Sequence, residues 1–183
     1  MKVEETPLQD CFVIKPNVFN DKRGYFFESF NHREFSNAIG REINFVQDNQ
    51  SQSSKGVLRG LHFQVNAQAQ AKLVRVIKGK VFDVCVDLRP ESKTFGQHFS
   101  ITLDAVKHEQ LFVPRGFAHG FLVLEDDTIF SYKCDNYYHK PSERGIIYND
   151  ETLNIDWQFL DKDLLLSEKD RNLPTLQRYL NEN

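Results

Sequence analysis

Between residues 12 and 148 the chain is written as short apolar, β-branched and aromatic runs broken by turn chemistry, and that rhythm excludes most folds. The runs fall at 12–14, 25–30, 45–49, 57–64, 73–77, 81–88, 99–103, 110–113, 117–124 and 128–134. Asp21-Lys22-Arg23-Gly24, Lys78-Gly79-Lys80 and Glu125-Asp126-Asp127 are among the breaks between them. Runs this short, bounded this way, read as strands, because a globular helix needs about ten or more residues in a 3.6-residue period. Lys78-Gly79-Lys80 between two apolar runs predicts a hairpin. Helical pattern is confined to 32–39, closed by Gly40, and to 174–180 near the C-terminus. Strand and helix do not alternate, and no repeat or low-complexity linker interrupts the pattern. The fold class is therefore all-β, a barrel or jelly roll with few helices. The length of 183 residues suits one domain over 1–183. Its tail, 151–170, is long enough that it must pack over something, such as the barrel mouth.

Alternation within the strands says which residues share a face. Along 81–88, Phe82, Val84, Val86 and Leu88 point one way and Asp83, Cys85 and Asp87 the other. Phe130, Tyr132 and Cys134 point together, and Lys72 is in phase with Val74 and Val76. Lys72, Asp83 and Tyr132 can thus project into one interior. Sixteen Phe and six Tyr fit the pleated, half-buried surfaces of such a core. The 23 basic and 26 acidic residues leave a net charge of -3, without the basic field that nucleic-acid or membrane-surface binding draws on. No apolar window approaches the length that crosses a bilayer, and residues 1–10 carry no apolar leader. Cys11, Cys85 and Cys134 stand apart, without paired spacing. Cys85 and Cys134 lie in apolar runs and read as small buried residues of a reducing compartment, which points to the cytoplasm.

Three segments carry chemistry. The first, Gly56 to Gln64, sets Arg59 and His62 on an otherwise apolar strand. A histidine there is either a general base or a hydrogen-bonded core residue. A flat strand puts Arg59 and His62 on opposite faces, so if both serve one pocket a distortion at Gly60 is required. The second, Ala71 to Val76, sets Lys72 among β-branched residues, either to stabilise developing negative charge or to snorkel at an edge. The third, Val113 to Phe121, carries Pro114-x-Gly116-x-x-His119, which resembles the second cupin motif, a turn into a barrel strand with an inward histidine. The earlier half of a metal-binding cupin is missing, since His62 has no second histidine two positions away and no following glutamate. Two separated histidines do not make a three-ligand centre, so no metal is expected and His119 is left as a hydrogen-bonding residue. No P-loop, dinucleotide fingerprint or Gly-x-Ser-x-Gly elbow is present. Acid–base chemistry without a cofactor remains.

Taken in order, these segments resemble the dTDP-4-dehydrorhamnose 3,5-epimerase family (RmlC type) over nearly the whole chain. The matching stretches are Val18 to Ser29, Phe45-Val46-Gln47-Asp48-Asn49, the Arg59 and His62 segment, Lys72-Leu73-Val74-Arg75 and Val81-Phe82-Asp83-Val84. They continue through Pro114 to Phe121, Tyr132-Lys133, Tyr137-Tyr138 and Leu166-Ser167-Glu168-Lys169-Asp170. Each motif is short, and their order and spacing carry the resemblance. It implies a cupin-type jelly-roll barrel with a few short peripheral helices, a homodimer, and no cofactor. The implied substrate is a dTDP-4-keto-6-deoxy sugar, epimerised by proton abstraction next to the ketone and return from the opposite face. Close relatives that invert only one of the two carbons, at position 3 or 5, are the alternative.

By position, the resemblance implies His62 as base, Asp170 as its orienting carboxylate and Tyr132 as acid. It implies Lys72 beside the enolate oxygen, held by Asp83. Arg23 and Arg59 correspond to diphosphate contacts, and Tyr138 to a ring stacked on thymine. Phe19, Glu28, Gln47, Asp48 and Asn49 correspond to nucleotide or sugar contacts, with His119, Glu143 and Lys169 as further ligand positions. Read from the residues alone, Asp21 and Arg23 serve equally well as turn residues, and Glu143 and Lys169 as solvated charges. The chain departs from the family's frequent tryptophans at His98 and Tyr148.

Overall fold

The strand runs assemble into two facing antiparallel sheets in the computed structural model, which describes residues 1–160 and 163–182. In chain order the elements are β1 (Lys2–Glu5), β2 (Phe12–Lys15), β3 (Phe19–Asp21), β4 (Gly24–Phe26), α1 (His32–Ile39), β5 (Gln47–Ser53), β6 (Leu58–Gln64), β7 (Lys72–Lys78) and β8 (Lys80–Asp87). There follow β9 (His98–Asp104), β10 (Gln110–Val113), β11 (Phe117–Val123), β12 (Thr128–Cys134), β13 (Glu143–Gly145), α2 (Glu168–Arg171) and α3 (Leu176–Glu182). One sheet is ordered β1-β2-β10-β7-β12-β5 and the other β13-β6-β11-β8-β9, while β3 and β4 form a separate two-stranded ribbon. This is the expected jelly-roll barrel, with short helices at its periphery. Among the described residues no helix is long and apolar enough to cross a membrane.

Apolar clusters lie between the sheets and over part of each outer face, which explains the many aromatic residues. Between the sheets, Val74, Val76, Leu111 and Phe130 meet Val81, Cys85, Phe117 and Phe121. Outside the first sheet, Phe35 of α1 packs on Phe112 and Leu73, with Phe30 and Phe45 beside it. That helix starts where Asn31 accepts the Glu34 N–H and stops at Gly40, whose φ of 72° is the left-handed stop expected there. Outside the second sheet, Phe82, Val84 and Val86 meet the C-terminal tail through Leu153, Trp157, Leu164 and Leu176. The tail therefore covers an outer sheet face as well as the barrel mouth, where Leu165 bridges to Val57. Trp157 is buried edge-on to Phe82 and donates its indole N–H to the Tyr148 carbonyl at 2.8 Å. Trp157→Ala is expected to cost about 3–5 kcal/mol, read as a lower urea midpoint.

Several expectations shift. Lys78-Gly79-Lys80 is not a hairpin: β7 lies between β10 and β12, and β8 between β11 and β9, so neither has a free edge for the other. The turn instead hands the chain from one sheet to the other. The 25–30 run yields only β4, because Phe27 leaves the ribbon to pack on His108 and Asn31 begins α1. The 45–49 run starts later and extends to Ser53, through a strand without one apolar residue. The C-terminal helix is displaced to α3, and the short α2 was not anticipated.

Candidate active site

The barrel mouth is shaped by two glycines. Gly60 has φ of 128°, the Gly60–Leu61 peptide is cis, and the β6–β11 register slips between the pairs His119↔His62 and Phe121↔Arg59. A Cβ on Gly60 would lie 2.5 Å from the Gly120 Cα, so neither strand tolerates a side chain at this crossing. The slip is the distortion the sequence required. It brings Arg59 and His62 to one cleft of about 540 Å³, together with Lys72, His119, Tyr132, Lys169 and Asp170. An adjoining recess of about 270 Å³ shares His62, Lys72 and Tyr132 and adds Gln47, Asn49, Tyr138 and Glu143. His62 belongs to one sheet, through β6, while Lys72 and Tyr132 belong to the other, through β7 and β12. The imidazole and the phenol thus face the same space from opposite walls.

His62 Nε2 meets Asp170 Oδ1 at 2.5 Å, and the residue lines the cleft. Asp170 is 4 % exposed and sits in α2, whose cap Ser167 accepts its backbone N–H at 3.1 Å. Burial alone would raise the Asp170 carboxyl, but the hydrogen bond and charge of His62 overcome it and hold it below the ordinary 3.8. A depressed carboxyl contributes stability that is complete above the unfolded value and is lost as pH falls from 3.8 through the folded value. Asp170→Asn is therefore expected to lower the melting temperature at neutral pH and to lose that deficit progressively as pH falls below 3.8, measured by thermal scans across pH.

Lys72 donates to the His62 carbonyl at 3.4 Å, and its ammonium lies 6.0 Å from the centre of the Tyr132 ring. Burial pulls its pKa below the ordinary value, with the nearby Cys134, Asp83 and Glu143 opposing the shift. Burial raises the Tyr132 phenol, so it stays protonated at neutral pH and can donate a proton. Asp83 does not hold Lys72: its carboxylate is bonded to His119 Nε2 at 3.0 and 3.1 Å. Both partners of that pair are buried in the barrel, so His119 is the hydrogen-bonding residue expected. At the rim, Tyr138 donates to Glu143 at 3.1 Å and Glu143 pairs with Lys169 at 2.6 Å, linking the two halves of the cleft. Glu143 and Lys169 are thus paired rather than merely solvated.

Not every expected residue reaches the cleft. Asp48 points to the opposite face of β5 from Gln47 and Asn49 and pairs with Lys133 at 2.9 Å. Phe19 and Arg23 lie on the exposed β3–β4 ribbon, where Arg23 pairs with Asp21 at 2.6 Å, and Glu28 accepts from Asn31 at 3.2 Å. Two residues went unassigned in the sequence. Ser53 accepts from Arg59 and fixes its guanidinium, and Ser167 caps the helix that carries Asp170. The second had a signal, since Ser167-x-x-Asp170 is a capping pattern. Among the described residues no group of three or more His, Cys, Asp or Glu side chains is placed to hold a metal ion.

The family model described as dTDP-4-dehydrorhamnose 3,5-epimerase matches residues 5–178. The chain belongs to the dTDP-4-dehydrorhamnose 3,5-epimerase family. It is 51% identical over 172 residues to the dTDP-4-dehydrorhamnose 3,5-epimerase of Shigella flexneri, covering 94% of each chain. The crystal structure of the family member from Elizabethkingia anophelis NUHP1 superposes with a TM-score of 0.94 at 52% identity, covering 97% of each chain. That of dTDP-6-deoxy-D-glucose-3,5-epimerase from Legionella pneumophila Philadelphia 1, in complex with dTDP-4-keto-L-rhamnose, gives 0.92 at 44% identity, covering 96% of this chain and 93% of the other. The epimerase is an isomerase of dTDP-L-rhamnose biosynthesis, and the barrel above is the cupin-type fold of its family.

Proposed function

We propose that this epimerase converts dTDP-4-dehydro-6-deoxy-D-glucose to dTDP-4-dehydro-L-rhamnose with His62 as base, Tyr132 as acid and Lys72 at the carbonyl oxygen. A hydrogen beside a ketone leaves as a proton only when the electron pair can move onto oxygen. Lys72, part-buried with a single hydrogen bond to the protein, supplies the positive charge at that oxygen. Inversion needs the proton removed on one face and replaced on the other, and the observation that carries this reading is that His62 and Tyr132 line one cleft from opposite sheets. Asp170 fixes the imidazole so that Nδ1 meets the sugar and compensates its charge once protonated. Arg59 suits the diphosphate, Tyr138 the base, and Gln47 and Asn49 the polar edges of the ligand.

The test is proton NMR of the substrate in heavy water. Deuterium is expected at both carbons flanking the ketone, each inverted; exchange at one carbon alone would make the protein a single-position epimerase. Tyr132→Phe should separate the two halves of the reaction. Removal of the proton and its return to the same face continue, while inversion falls at least about a hundredfold.

The epimerase is a homodimer in this proposal, working in the cytoplasm, where its three buried cysteines stay thiols. The β3–β4 ribbon exposes Phe19 and Phe26 by about two thirds, and β5 ends its sheet with one edge unpaired among the described residues. A second copy that covers both would bring Phe19, Arg23 and Glu28 to a cleft they do not reach in their own chain. Light scattering at twice the 21.4 kDa chain mass is expected, and a monomer would sink this part of the proposal.

A further inference from the structure

Lys72 is the first residue of β7, and strand ends are where chains fray. Among the described residues its side chain has one hydrogen bond, at 3.4 Å, so the direction of the ammonium depends on how firmly the backbone beneath it is held. In the sheet β7 lies between β10 and β12, where Lys72 pairs with Val113 on one side and Cys134 on the other. Just beyond these pairs, Arg115 and Asp135 meet. Arg115 Nε donates to Asp135 Oδ2 at 2.7 Å, and Arg115 Nη2 donates to the Asp135 carbonyl at 3.4 Å. The other carboxylate oxygen, Oδ1, accepts the backbone N–H of Ala71 at 2.6 Å, and the Asp135 N–H donates to the Ala71 carbonyl at 3.2 Å. The ion pair therefore spans from the end of β10 to the end of β12, across the residue that precedes Lys72. The Asp135 side chain is 7 % exposed, which shelters its bonds to Ala71, while Arg115 reaches it from the half-exposed outer side. Ala71, Arg115 and Asp135 line a hollow separate from the cleft and do not face the substrate.

We infer that Arg115 and Asp135 are positioning residues that clasp the start of β7 and so aim the Lys72 ammonium at the substrate oxygen. The inference rests on the role proposed for Lys72 above. A displacement of about 1 Å at a catalytic group can cost a hundredfold in rate, which sets the scale of the effect.

Asp135→Asn keeps an acceptor for Ala71 but loses the charge that holds Arg115. It is expected to lower kcat for solvent-deuterium exchange about ten- to hundredfold, with KM and dTDP affinity changed less than about twofold. Arg115→Met should behave alike, and Arg115→Lys, which restores a cation, should recover most of the loss. In a Lys72→Met background Asp135→Asn should cost nothing further. An equal cost of Asp135→Asn with and without Lys72, or a loss of dTDP affinity with kcat kept, would overturn the clasp while leaving the reading of Lys72 intact. Exchange that survives Lys72→Met at full rate would overturn that reading instead. Melting temperatures accompany each variant, and if Asp135→Asn does not fold, the Arg115→Met and Arg115→Lys pair decides the matter by the same criteria.

Discussion

His62→Asn is expected to lower kcat by about 10³–10⁴ and to abolish deuterium incorporation at both carbons, with dTDP affinity nearly unchanged. The reasoning is geometric. Asp170 takes one ring nitrogen at 2.5 Å, so the other is the basic atom in the proposed mechanism. Asparagine fills only the near half of the ring's place and falls short of Asp170, which Nε2 reached, and its amide does not accept a proton at neutral pH. The fold should survive, because His62 is not part of the apolar clusters that hold the barrel. Single-turnover NMR in heavy water reads the loss directly. Exchange persisting at either carbon would assign the base for that carbon elsewhere and remove the central element of the mechanism.

Lys72→Met should cost about 10²–10³ in kcat, the usual scale for removing a preorganised stabiliser of a developing oxyanion. Methionine fills much the same volume without charge, so the place beside the Tyr132 ring is kept. The effect should fall on proton removal itself, since the negative charge arises in that step. His62→Asn and Lys72→Met together should cost far less than the product of their separate effects, because both serve one transition state. Unchanged exchange in Lys72→Met would show that the charge is met by another group.

How much of this was legible in the sequence follows from what each segment buries. Strands with an apolar face announced themselves, and β10 and β12 fall on their sequence-based bounds. β5 did not, because its inward residues Gln47, Asn49 and Ser51 face a polar cleft instead of a core and Ser53 bonds Arg59. The same strand shows why Asp48 was misplaced: with Gln47 and Asn49 pointing inward, the residue between them points out. The Lys78-Gly79-Lys80 turn looked like a hairpin because a local pattern records that a chain reverses, not which sheet the next strand joins. The distortion at Gly60, by contrast, followed from demanding that Arg59 and His62 serve one pocket. Asp83 was matched to Lys72 on position alone, and His119, which competes for the same carboxylate, takes both oxygens.

The tail has one more consequence. Among the described residues every strand of the barrel is complete by Gly145, yet the carboxylate proposed to orient the base arrives only at Asp170, on a single helical turn beyond the segment anchored by Trp157. Under the roles proposed, a nascent chain paused near residue 150 would own the imidazole, the ammonium and the phenol but lack the carboxylate, its outer apolar face bare to chaperones. The orienting carboxylate of the proposed mechanism thus arrives only after the barrel strands are made, and a protease that clips the tail before α2 would remove it.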